Sequence, residues 1–157
     1  METEEHLKII TDGIKIKGTV LDLGCGDGRL IVPLADKYKS VKFIGFDIDK
    51  KELDKAPTRK NITYTTKFPE EKLNFIYSML TFQHITSEEK QHYIKESTRL
   101  LTPTGTLRFQ FVRGDYQGEY DHNASIYDVE NWCNNAGFET TVVEGKGFWN
   151  WVTARKI

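Results

Sequence analysis

Two cysteines are all the thiol chemistry the chain carries in 157 residues. Cys25 and Cys133 lie far apart, with neither a pairing nor a metal-ligand spacing, so no disulfide and no metal site is expected, and a reduced compartment suits them. Long apolar runs are missing too. Strand-like pieces such as Phe43 to Phe46 fall far short of the roughly 20 residues of a membrane span, so no membrane helix is expected. The opening METEEHLKII is acidic and lacks the basic and apolar regions of a secretory signal, which points to the cytoplasm. No charge sign dominates: 22 basic residues against 23 acidic ones, scattered, form no basic stripe for nucleic acid. Internal repeats, low-complexity tracts and linkers are absent as well, and residues 1–157 read as one domain with one core.

What is present is an alternation of strand and helix signals, which predicts an α/β fold with helices on both faces of a parallel sheet. Leu7, Ile10 and Ile14 recur at helical spacing, so Glu4 to Gly13 reads as a short amphipathic helix placed to cover a site. Strands are expected at Thr19 to Leu23, Val41 to Asp47, Ile62 to Thr66, Leu73 to Leu80, Thr106 to Val112, and near 139–143 and 148–155. Helices are expected over Arg29 to Tyr38, in the short charged segment before Pro57, and from the Thr86/Glu89 capping-box pattern through Leu101. Pro103 and Gly105 should break the chain before the fifth strand. Ser125 with Asp128 marks a last helix start and Gly137 its stop.

The chemical signal lies in Leu21-Asp22-Leu23-Gly24-Cys25-Gly26-Asp27-Gly28, between a strand and a helix. Glycines at alternate positions let the backbone turn sharply and approach a ligand, and the helix behind them offers unpaired amides with partial positive charge. The spacing is GxGxG followed by Arg29, where a dinucleotide turn reads GxGxxG, and this disfavours a nicotinamide-dependent oxidoreductase. About 20 residues later Asp47 ends the strand FIGFD, where a carboxylate can accept from both ribose hydroxyls of an adenosine-type ligand. An adenosine cofactor without a bridging pyrophosphate fits both features.

VLDLGCGDGRL, the acid in FIGFDID, the strand ending SMLTFQHI and the passage RLLTPTGTLRFQF resemble, in order, the motifs of class I S-adenosylmethionine (SAM)-dependent methyltransferases. The resemblance is close over residues 19–112, with 1–14 as an added N-terminal helix and 113–157 as a looser loop, helix and strands. It implies a Rossmann-like three-layer sandwich with a mostly parallel seven-stranded sheet, SAM as cofactor and S-adenosylhomocysteine (SAH) as product. By this resemblance Gly24, Gly26 and the neighbouring Cys25 and Arg29 hold the methionine end, Asp22 orients the turn, Asp47 binds the ribose and Ile48 packs on adenine. Ser78 and Met79 correspond to positions whose backbone lies beside the methionine group and the reacting sulfur, and Phe82 is counted with the cofactor-binding residues. The sequence also departs from the pattern. Thr66-Lys67-Phe68 stands where many relatives have an acid for the adenine amino group, which leaves adenine to the Thr66 backbone and Phe68. Asn74 replaces an Asp at the start of the fourth strand, and Pro103-Thr104-Gly105 a Pro-Gly-Gly turn.

Methyl transfer from a sulfonium needs alignment and exclusion of water more than a strong acid. A base is needed only where the acceptor must lose a proton, and His84, in TFQHI, is the candidate catalytic residue. The polar loop after the fifth strand, with Asp115, Tyr116, Tyr120, Asp121 and His122, is expected to line an acceptor pocket; Tyr116, Tyr120, Trp149 and Trp151 could form its aromatic wall. The Asp/Asn-Pro-Pro-aromatic motif of amino-methylating DNA enzymes, a placed cysteine nucleophile and a cluster of acidic metal ligands are all missing. A small-molecule acceptor is therefore expected, with a homodimer or a partner subunit as a way to complete the site. The alternative is a SAM-binding regulatory or partner-binding subunit without transfer activity.

Overall fold

Helices and strands alternate as the sequence pattern requires in a computed structural model describing residues 2–114, 123–145 and 149–157. The order is α1 (Thr3–Thr11), β1 (Thr19–Leu23), α2 (Ile31–Lys37), β2 (Lys42–Phe46), α3 (Lys50–Lys55), β3 (Ile62–Thr65), β4 (Leu73–Ser78), a 3-10 turn (Phe82–His84), α4 (Ser87–Leu100), β5 (Leu101–Val112), α5 (Ile126–Asn135), β6 (Phe138–Glu144) and β7 (Trp149–Lys156).

The strands form one seven-stranded sheet in the order β3-β2-β1-β4-β5-β7-β6. The pairs from β3 across to β5 are parallel, whereas β7 runs antiparallel to both β5 and β6. The sheet is therefore mixed. Only residues 145–148 separate β6 from β7, far fewer than the dozen or more that a parallel crossover needs, so that pair must be a hairpin.

Alternation along the central strands divides the core between two faces. Leu21 and Leu23 of β1 pack with Tyr93 and Ile94 of α4 and Val129 and Cys133 of α5, whereas Val20 packs with Ile10 of α1 and Ile31, Leu34 and Ala35 of α2. Two helix starts form as their residues dictate. In α4 the Glu89 N–H donates to Thr86 Oγ1 and the Thr86 N–H to Glu89 Oε1, both at 3.1 Å; in α5 the Asp128 N–H donates to Ser125 Oγ at 3.0 Å.

Several expected boundaries move. Helix α2 begins at Ile31 rather than Arg29, because residues 28–30 belong to the glycine turn. Strand β4 stops at Ser78, two residues early, where Leu80 takes a left-handed φ of 59°. Pro103 and Gly105 do not break the chain: β5 already runs from Leu101, and a register shift between Leu73 and Phe75 takes up the irregularity. No described helix is long and apolar enough to cross a membrane.

Candidate functional site

The strand order reverses between β1 and β4, and there the loops at the carboxyl ends of the strands part into a cleft of about 540 Å³. The glycine turn forms its floor. The Gly24 and Cys25 N–H groups both donate to the Phe46 carbonyl, at 2.7 and 2.9 Å, which ties the turn to the end of β2. Gly24 has φ +89°, and a Cβ there would stand 2.2 Å from Thr81 Oγ1, so both conformation and space require glycine. Gly26 also has a positive φ, but a Cβ there would meet nothing within 4 Å. Its bare face belongs to the cleft.

Asp47 is fixed at both oxygens. Oδ2 accepts the Gly26 N–H at 2.8 Å and Oδ1 the Asp49 N–H at 2.9 Å. Each oxygen retains a lone pair for a further donor. Beside Asp47, Ile48 exposes 70% of its surface at the cleft lip.

Asp22 lies under the turn at 2% exposure, yet it still lines the cleft. Burial pushes its pKa up to about 7, and the Asp47 charge adds to the rise; the Tyr77 hydroxyl opposes it. That hydroxyl is buried and meets no partner with full hydrogen-bond geometry, so its hold on Asp22 is weak. Without a ligand, Asp22 is a carboxyl at the point of ionising, and a cation beside it would complete the ionisation. Burial and the Asp22 and Asp47 charges push the Cys25 thiol well above its usual range, which removes it as a nucleophile. Cys133, fully buried in the core, is pushed up to about 12.

Of the residues singled out from the sequence, the cleft brings together Asp22, Gly24, Cys25, Gly26, Arg29, Asp47, Ile48, Met79 and His84. His84 sits exposed on the rim, at the end of the 3-10 turn. Four others do not line the cleft. Ser78 is sealed at 0% exposure, its hydroxyl donating to the Leu23 carbonyl at 2.6 Å. Phe82 is a core residue stacked on Phe109, with ring centroids 4.4 Å apart. Phe68 stacks at 4.7 Å behind Phe46, and Phe46 is the ring that reaches the cleft. Thr66 is exposed on the turn after β3. Trp151, an expected acceptor wall, is 6% exposed and packs into the core on the α1 face. Asp115, Tyr116, Tyr120, Asp121 and His122 lie outside the described residues.

Sequence reasoning missed Thr81, Leu80 and Tyr93. The Thr81 hydroxyl stands 3.3 Å from the Gly24 carbonyl and 3.1 Å from that of Met79, and it can donate to either, which closes the cleft floor against β4. Leu80 lines the cleft in its left-handed conformation, and its N–H donates to Gln110 Oε1 of β5 at 3.0 Å. A non-glycine residue held at positive φ beside a cleft is the kind of strain that surrounding structure must maintain. Tyr93 arrives from α4, and no local signal announces it. Among the described residues no three His, Cys, Asp or Glu side chains gather as a metal site.

A family model described as a methyltransferase domain matches residues 20–105. An uncharacterized methyltransferase of Staphylococcus carnosus is 29% identical over 94 residues, covering 58% of this chain and 45% of the relative. The (S)-tetrahydroprotoberberine N-methyltransferase of Eschscholzia californica is 27% identical over 130 residues, covering 76% of this chain and 36% of the relative. The chain thus spans less than half the length of either curated relative. Among solved structures, a TehB-like SAM-dependent methyltransferase from Corynebacterium glutamicum superimposes with a TM-score of 0.79 at 17% identity, covering 100% of this chain and 89% of that one. Magnesium protoporphyrin IX methyltransferase from Synechocystis, solved with bound SAH, gives 0.76 at 17% identity, covering 98% and 82%.

Proposed function

Because the chain belongs to the methyltransferase domain family, within the class I SAM-dependent enzymes, we propose that its cleft binds SAM and that it transfers the methyl group to a small organic acceptor. The observation that carries this reading is Asp47, which is fixed by two backbone donors at the lip of a glycine-floored cleft and still able to accept from two adjacent ribose hydroxyls. The other residues present fit the same cofactor. Ile48 supplies an apolar face for adenine, Asp22 a carboxylate for the methionine ammonium group, and Arg29 a cation for the carboxylate, while Gly26 leaves the space that close approach of the chain needs.

When bound, SAM supplies a methyl group on a sulfonium that is its own leaving group. The protein's part is to hold the two ends of the cofactor and to exclude water. Met79, Leu80 and Thr81 form the wall between glycine turn and rim, and the Gln110 bond to the Leu80 N–H keeps that wall in one conformation. His84, on the rim, is the group that takes a proton at a ring nitrogen from an acceptor that must lose one. A small acceptor is supported by relatives named for a tetrahydroprotoberberine and a magnesium porphyrin.

The test is calorimetric titration of the purified protein with SAM and with SAH, followed by a methyl-transfer screen of small amines, phenols and carboxylates. Micromolar binding and label transfer to one acceptor class are expected; folded protein that binds neither compound would sink the proposal.

A further inference from the structure

The sequence spends a histidine where a core residue would do. His6, on the inner face of α1, is 2% exposed and one helical turn before Ile10, which is wholly buried in the core on that face. Its Nδ1 lies 3.4 Å from Arg29 Nη2 of the glycine turn, and its Nε2 has no hydrogen-bond partner among the described residues. A guanidinium can only donate, so Nδ1 is the acceptor and the proton of the neutral ring sits on Nε2, buried and unpaired. Burial and the Arg29 charge both lower the pKa of His6, which keeps the ring in that neutral, accepting form. A buried unpaired N–H is unfavourable, and an aliphatic side chain would avoid it. Among the described residues, the one hydrogen bond of the His6 ring is thus with a side chain that lines the cofactor cleft.

The helix that carries His6 is itself held in place. Arg108 of β5, 9% exposed, donates from Nη1 to the carbonyls of Ile9, Ile10 and Asp12 at 3.0, 3.2 and 2.6 Å, and from Nε to Thr153 Oγ1 of β7 at 3.0 Å. Leu30, the residue after Arg29, packs in the same core cluster as Ile10. Helix and turn are thus anchored in one buried cluster, whereas the Arg29 side chain that extends from the turn is exposed.

We propose that His6 is a positioning residue that orders the Arg29 guanidinium for the carboxylate of the cofactor's methionine moiety, so that α1 takes part in cofactor recognition. This rests on the SAM reading above. An arginine ordered in advance loses less freedom when the carboxylate arrives. The contact should therefore favour ligands that carry a carboxylate over those that lack one.

The experiment compares SAH with 5′-methylthioadenosine, which keeps the adenosine and sulfur but lacks the amino-acid end, in the full chain. His6→Leu should weaken SAH about three- to tenfold, the range for leaving one long side chain to be ordered on binding, and leave methylthioadenosine unchanged. His6→Asn, whose Oδ1 can replace Nδ1 as acceptor, should restore most of the SAH affinity. Arg29→Met, at an exposed position, should weaken SAH at least about tenfold with methylthioadenosine unaffected, and in that background His6→Leu should have no further effect. Equal losses for both ligands in His6→Leu, or an Arg29→Met protein that binds SAH as before, overturns the inference alone. Wild-type protein that binds neither ligand overturns the SAM reading and this inference with it.

Discussion

Replacing Asp22 with asparagine should stabilise the ligand-free protein, and by an amount that depends on pH. Asp22 is 2% exposed, and burial raises its pKa to about 7, against about 4 in an unfolded chain. The folded state therefore binds the proton more tightly than the unfolded one. The stability this contributes is fully present below about pH 4, falls as pH rises, and is gone above about pH 7. The difference between the two values corresponds to about 4 kcal/mol, an upper bound because the cleft admits water to one edge of the carboxyl. Asp22→Asn removes the titration. The variant should equal wild type near pH 4 and exceed it by up to about 4 kcal/mol near pH 8, measured by urea denaturation across that range. An ammonium group beside Asp22 reverses the shift, so SAH binding near pH 6.5 should release a proton, and the calorimetric enthalpy should vary with the ionisation enthalpy of the buffer. Asp22→Asn should abolish that variation. A wild-type-to-variant difference that stays constant from about pH 4 to pH 8 would refute the reasoning.

Other consequences follow from single contacts. Asp47→Ala removes the acceptor for the Gly26 N–H and for the ribose, and should weaken SAH by about 1.5–3 kcal/mol in calorimetric titration. Gln110→Leu strips the acceptor from the Leu80 N–H; it should cost about 1–3 kcal/mol of stability in urea and weaken SAH as well, because Leu80 lines the cleft. Arg108→Met frees the end of α1, and hydrogen exchange should quicken in residues 3–11 while the β1 and β4 amides keep their protection.

The cofactor turn was legible because its chemistry is contiguous. Gly24, Gly26 and Asp47 are held by backbone geometry that local sequence encodes: a turn with positive φ and a strand end. The capping residues Thr86, Glu89 and Ser125 were legible for the same reason, since donor and acceptor lie three residues apart. The hairpin at the end of the sheet could have been read too, from the few residues between β6 and β7.

Tertiary structure alone decided which neighbours of these residues reach the cleft. Ser78 and Met79 are adjacent, yet one is closed by the Leu23 carbonyl and the other opens on the site, because side chains at a strand end diverge to opposite faces and register chooses which face is covered. Phe68 and Phe46 are both aromatic, but their stacking leaves only Phe46 on the cleft wall. Thr81, Tyr93, Gln110 and His6 act across separations of 57, 30 and 23 residues where their bonds are direct, or from a different helix, and no local period records such partners. Sequence by itself determined the α/β order, the glycine turn and the acid that follows it, because each depends on residues a few positions apart. The cleft's shape, the near-neutral pKa of Asp22 and the link from α1 to Arg29 came only with folding, because burial and long-range contact are properties of the packed chain.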